Sequence, residues 1–169
     1  MTTAFRLRPD DAERYVRIRL QMLDDAPWAF DADPNATPTV DAPYMATLFS
    51  SEHDAVFGVE GEGADRPLIA VAGVRHVTKP RFTHRARIWG VFADPAHRGQ
   101  HAGRTVVEAA LAWARNYPGV DWVDLSVSEN SPAAQRLYES LGFRVWGREP
   151  ETMELDGRRY DEIYMALKL

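Results

Sequence analysis

Along this 169-residue chain the apolar positions switch between helical and strand periods, and the switches set out an order of elements. Phe5 to Arg8 reads as a short first strand that Pro9 ends. Asp10 and Asp11 suit the cap and first turn of a helix. Ala12, Tyr15, Val16, Leu20 and Leu23 then fall at helical spacing on one face, which is expected to be core. Pro27, Pro34, Pro38 and Pro43 break up the next stretch, and a second short helix is expected from Asp41-Ala42-Pro43 through Tyr44, Met45, Leu48 and Phe49. Ala55 to Glu60 and Leu68 to Thr78 are strands by their β-branched content, with a turn region between them. Lys79 to Arg85 is a basic connection leading towards Ile88.

From Ile88 to Arg104 the chain reads IWGVFADPAHRGQHAGR. It begins β-prone (Ile88, Trp89, Val91, Phe92), turns at Asp94-Pro95, and passes Gly99 and Gly103 into a helical run from Thr105 to Ala114. Strand, small-residue loop and helix in that order make an anion site. The first turn of a helix leaves backbone N–H groups without partners, and the helix dipole adds partial positive charge. Glycine and alanine let a phosphate approach that backbone closely. A pyrophosphate site and an ordinary strand-to-helix connection both stand on this segment alone.

Asp121 to Val127 is a further strand, and strand–helix–strand implies a parallel, right-handed crossover. Ser131-Pro132 opens another helix, with serine expected as its cap; Leu137, Tyr138 and Leu141 follow, and Gly142 stops it. Phe143 to Gly147 and Arg159 to Leu167 read as closing strands around a turn at Asp156-Gly157. The connection from Asp24 to Ser51 mixes Asp24, Asp25, Asp31 and Asp33 with Trp28, Phe30 and Tyr44. Such a stretch suits the wall of a substrate pocket or a solvated loop.

Composition narrows the classes. At 169 residues and 45% hydrophobic, a single domain spanning 1–169 with a sizeable core is expected. The net charge of -5 argues against a nucleic-acid partner. Without cysteine there is no disulfide framework, thiolate metal site or cysteine nucleophile, and the five histidines show no paired spacing, so no metal is expected. No apolar run reaches membrane-span length, so a soluble cytoplasmic protein with no membrane partner is expected.

Two separated segments resemble one family. VFADPAHRGQHAG is similar to the acetyl-CoA loop of the GCN5-related N-acetyltransferases, whose pattern is [QR]-x-x-G-x-[GA] after a strand and a proline. SENSPAAQRLYESLGFRVWG resembles their second signature, N-x-x-A-x-x-L-Y-x-x-x-G-F, and the ending YDEIYMALKL is also similar. The resemblance covers the chain in order. It implies a mixed α/β (α+β) fold, a splayed mixed sheet with helices on both faces, and direct transfer of an acetyl group from acetyl-CoA to a primary amine of a small molecule or protein N-terminus. It implies that the backbone of Val91, Phe92 and Ala93 pairs with the pantetheine arm. Arg98 would open the loop, Gly99, Gln100, His101, Ala102, Gly103 and Arg104 would supply amides to the pyrophosphate, and Tyr138 would stand near the sulfur as the acid.

The departures from the pattern matter. His101 stands where the family has a glycine, and a β-carbon there restricts the backbone, so either an ordinary right-handed conformation or a reshaped loop is expected. The family's asparagine aligns with Ser131, with Asn130 one place earlier, and both are candidate cofactor contacts. Arg87 and Ser126 occupy the usual acidic positions, leaving no named general base; Glu129 is the nearest acid. An acyl-CoA-binding regulatory domain without catalysis is the alternative, and a homodimer is left open.

Overall fold

The computed structural model describes residues 3–30 and 32–169. A seven-stranded sheet has the order β1-β2-β3-β4-β5-β7-β6, with strands Phe5–Arg6, Asp54–Glu60, Leu68–His76, Arg85–Ala93, Trp122–Ser128, Arg144–Leu155 and Arg158–Lys168 numbered along the chain. Four helices, α1 Ala12–Asp25, α2 Ala42–Phe49, α3 Ala102–Asn116 and α4 Pro132–Ser140, complete it. The mixed architecture is the expected one.

Each face of the sheet carries its own core. On one face Val106, Val107, Ala110, Leu111 and Ala114 of α3 pack against Ala70, Ala72 and Val74 of β3 and Val123 and Leu125 of β5. On the other, Tyr15, Ile18 and Met22 of α1 and Met45 and Phe49 of α2 meet Val56, Val71 and Phe92. Burying each Val or Leu side chain contributes about 1.5–3 kcal/mol relative to leaving it exposed. β3 is buried on both faces, which explains its nearly continuous apolar run.

Several local expectations are corrected. Leu20 is 46% exposed, whereas Ile18, Arg19 and Met22 are buried. The buried face of α1 keeps Ala12, Tyr15 and Leu23 of the expected stripe but takes in Ile18, Arg19 and Met22 in place of Leu20. α2 begins at Asp41-Ala42 as expected, and Asp41 caps it, accepting from Tyr44 N at 2.7 Å; Tyr44 itself is exposed. Ser131 precedes α4 with no side-chain cap; its carbonyl accepts from Ala134 N and Gln135 N instead. β4 begins at Arg85, and β6 runs on to Leu155.

The feature that positions a site is the β4–β5 pair, which is parallel and short. Its ladder covers Arg85↔Trp122, Ala86↔Val123 and Arg87↔Asp124 and then stops. Beyond Arg87, β4 stays with β3 while β5 stays with β7 as far as Ser128↔Glu162. The β3–β4 register slips between Val71 and Gly73, and Gly90 sits in the slip with φ 57°. A bulge of this kind bends its strand and strengthens its twist, so β4 swings from β5 and the sheet opens. Trp89, just before the bulge, lays its indole over Gly73, where any β-carbon would collide with the ring.

Candidate active site

A cavity of about 630 Å³ lies at this opening. Its walls are the end of β4 (Val91, Phe92, Ala93), the loop into α3, α4 with Tyr138, and Asp25 at the end of α1 with Ala26, Trp28, Ala29 and Phe30 after it. The structure brings together every sequence-predicted site residue except Gln100, which is exposed and not part of the lining. Both Asn130 and Ser131 line the cavity.

The loop has the features an anion needs. Asp94 accepts from Ala96 N at 2.9 Å and starts a short turn at Pro95–His97. Burial works against the Asp94 carboxylate, yet the Ala96 amide and the His97 ring hold its pKa below the ordinary value. The chain then reverses through left-handed residues, Gly99 at φ 80° and His101 at φ 62°, ψ 7°. The ordinary right-handed conformation allowed for His101 is therefore not adopted. Histidine is among the side chains that enter this region more readily than most. The first helical bond of α3 runs from Thr105 N to His101 O at 2.9 Å, and no side chain caps the helix. The amides of Ala102, Gly103 and Arg104 precede that bond and stand free of helical partners. Gly103 is packed so that a β-carbon would touch that of Ala93 at 3.6 Å, seating the helix start on the end of β4. These residues fit a pyrophosphate.

Charged side chains frame the loop. Arg98 pairs with Asp25 at 2.7 Å. Arg104 reaches Glu108 at 3.0 Å and the Ser140 hydroxyl at 2.5 Å, tying α3 to the end of α4.

Tyr138 is 5% exposed, its ring edge-on to Phe143, and burial raises its phenol well above the usual pKa. The shift favours the protonated phenol, and Tyr138 is part of the cavity lining. Arg87 and Ser126 are both exposed. Glu129 accepts from Arg148 at 2.7 Å and from Asp161 N at 3.1 Å, so its carboxylate is engaged.

Of the acidic and aromatic connection that suited either a pocket wall or a solvated loop, Asp25, Trp28 and Phe30 line the cavity. Asp33 instead caps a turn, accepting from Asn35 N, and Asp31 lies outside the described residues. Sequence reasoning missed His97, Ala133, Ala134 and Leu137 in the lining, and a Tyr164 hydroxyl that donates to Glu149 at 2.5 Å. That hydrogen bond raises the Tyr164 pKa. The pair joins β7 to β6 across a strand register that sequence spacing does not reveal. Among the described residues no group of three or more His, Asp or Glu could hold a metal, and no helix is long and apolar enough to cross a membrane.

Comparison with known proteins agrees with this geometry. The chain is 38% identical over 87 residues to a mycothiol acetyltransferase of Thermobispora bispora, covering 52% of this chain and 23% of that protein. It is 28% identical over 100 residues to a spermidine N(1)-acetyltransferase of Vibrio cholerae, covering 59% and 56%. The chain thus spans less than two thirds of either relative. A putative acetyltransferase of Salmonella typhimurium, solved with its cofactor acetyl-CoA, has the same fold at TM-score 0.82 and 22% identity, covering 100% of this chain and 94% of that one. A GCN5-related N-acetyltransferase from Kribbella flavida matches at TM-score 0.82 and 21% identity, over 99% and 98%. The family model for acetyltransferases of the GNAT type matches residues 20–143, which take in β2 to β5, the loop segment and the second signature as far as Phe143, and the chain belongs to that family.

Proposed function

We propose that the chain is a single N-acetyltransferase domain that moves an acetyl group from acetyl-CoA directly to a primary amine, on a small molecule or a protein N-terminus. The observation that carries this reading is the convergence, on one cavity, of the free amides at the start of α3, the diverging end of β4 and the side chain of Tyr138.

Acetyl-CoA, when bound, supplies an acetyl thioester already activated for attack. The amides of the Gly99–Arg104 loop would hold its pyrophosphate, and the β4 backbone at Val91 to Ala93 would pair with its pantetheine arm. Backbone N–H groups near the bulge would polarise the carbonyl at no cost in reorganisation. Tyr138 would hydrogen-bond the sulfur. The acceptor must be neutral to attack, and an α-amine, with pKa of about 8, reaches that state more readily than a lysine at about 10.4. With Arg87 and Ser126 at the usual acidic positions and Glu129 engaged, water carries the proton to bulk solvent. The buried phenol on the cavity wall favours this reading over a non-catalytic acyl-CoA-binding domain.

The test is thiol release from acetyl-CoA across a panel of amines, with mass spectrometry of the products. Thiol release with an acetylated amine is expected. Tight CoA binding by calorimetry with no release across the panel would move the reading to the non-catalytic domain.

A further inference from the structure

Arg19 is 5% exposed, yet among the described residues it makes no ion pair. Its Nε donates to Thr39 Oγ1 at 3.0 Å and its Nη1 to Met22 Sδ at 2.8 Å. Neither partner carries charge, and Nη2 has no acceptor among the described residues. A guanidinium cannot shed its proton, and a buried charge without a counterion is strongly unfavourable. Burial of this kind persists where a partner arrives from outside.

Its surroundings repeat the pattern. The hydroxyl of Tyr15 is buried with no hydrogen-bond partner among the described residues, and so is Nε1 of Trp89. Arg19 Nη1 and the Tyr15 hydroxyl converge on the bulge of β4, where a β-carbon on Gly90 would lie 3.8 Å from the first and 3.9 Å from the second. A guanidinium can only donate, and the phenol has a proton free to give. Two donors facing one place with no acceptor there among the described residues fit a ligand that accepts. A carboxylate does so with two oxygens, in the planar geometry that arginine matches best. The place is also joined to the cavity: the Phe30 ring, part of the cavity wall, lies over the guanidinium at 5.3 Å. Arg19 itself is not part of the lining, and the Phe30 ring stands between its guanidinium and the cavity.

We infer that the acceptor amine carries a carboxylate close to its nitrogen, and that Arg19, assisted by the Tyr15 hydroxyl, receives that carboxylate while the amine faces the opening between β4 and β5. This rests on the acetyltransferase reading above. Phe30 turns aside to admit the group, and an amino-acid-like acceptor is the substrate class that results.

The experiment measures kcat/KM, corrected for the fraction of free amine, for the common L-amino acids and for the same amino acids as primary amides. The wild-type protein is expected to prefer the acid form of its best acceptor by at least tenfold. Arg19→Gln should collapse that ratio to within about threefold, mainly through KM, and Tyr15→Phe should lower it less; CoA binding by calorimetry shows that each variant is folded. Where Arg19→Gln fails to fold, Arg19→Lys, which keeps charge but not the planar fork, should reduce the same ratio. Equal turnover of acids and amides by the wild type, or equal losses on both forms in the variants, would overturn the inference and leave Arg19 a structural residue satisfied by buried water. Should no amino acid or amide release thiol, the CoA-loaded protein is titrated with the same compounds by calorimetry. Acids binding tenfold tighter than amides would sustain the carboxylate site even as the catalytic reading fails, and equal or absent binding would end it.

Discussion

Arg98 Nη2 lies 2.7 Å from Asp25 Oδ2, so the loop leading into α3 is tied to the last turn of α1. Both residues line the cavity, and Arg98 is more than half exposed. An exposed pair of this kind contributes only about 0–1 kcal/mol to stability. Its charge matters more to an anionic ligand. Asp25→Asn releases Arg98 and removes a negative charge from the lining, so CoA should bind about threefold tighter at low salt, with the gain fading as salt screens it. Calorimetry across a salt series checks this. Weaker binding would mean that the pair shapes the loop rather than competing for the arginine.

Gly103→Asp should weaken CoA binding at least tenfold, about 1.4 kcal/mol. An acidic side chain in the first turn of α3 suits the helix dipole, so the fold should hold. The carboxylate would occupy the field of the same free amides that await a phosphate. Unchanged affinity by calorimetry would place the pyrophosphate elsewhere.

His101 is expected to be replaceable by glycine. A left-handed conformation costs a residue with a β-carbon about 1 kcal/mol, and His101→Gly removes that cost. The amides, not the imidazole, should dominate the phosphate contact, so CoA affinity should stay within a few-fold. His101→Val is the opposite case, because a β-branched residue is a severe outlier at φ 62°. It should lower both Tm and CoA affinity. A large loss of affinity in His101→Gly would make the ring a direct ligand.

The loop and Tyr138 were legible because their signals are local. A glycine, a proline and a helix start within a few residues describe a helix N-terminus wherever the chain folds, and Leu137-Tyr138 ahead of Leu141-Gly142-Phe143 fixes a helix end. What was not legible depended on distant partners. Arg19 reads as surface because arginine almost always is; its burial follows from how α1 rolls onto the sheet, which also leaves Leu20 outside. β4 starts earlier than its apolar run because Arg85 grips Asp124 of β5 through two hydrogen bonds, of 2.6 and 2.5 Å, across 39 positions of sequence. β6 passes Pro150 and an irregularity in its register because it is an edge strand, where a missing N–H costs little.

The last prediction concerns Tyr138. Burial raises its pKa above the ordinary value of about 10. The direction has a kinetic consequence: the phenol keeps its proton throughout the range in which an acceptor amine loses its own. The rate should therefore rise with pH as the amine is freed and then hold level to about pH 10, with no falling limb from Tyr138. The same burial makes the phenol a reluctant acid, so its largest service is a hydrogen bond to the sulfur as the C–S bond breaks. Tyr138→Phe keeps the ring against Phe143 and removes only the hydroxyl. It should lower kcat by roughly 10²-fold, with CoA affinity and Tm nearly unchanged. The loss should shrink for an acyl donor whose leaving thiol is more acidic, because a better leaving group needs less help. Two results would remove Tyr138 from the chemistry and leave it a packing residue: wild-type turnover by Tyr138→Phe where chemistry is rate-limiting, or the same loss for both thiol donors.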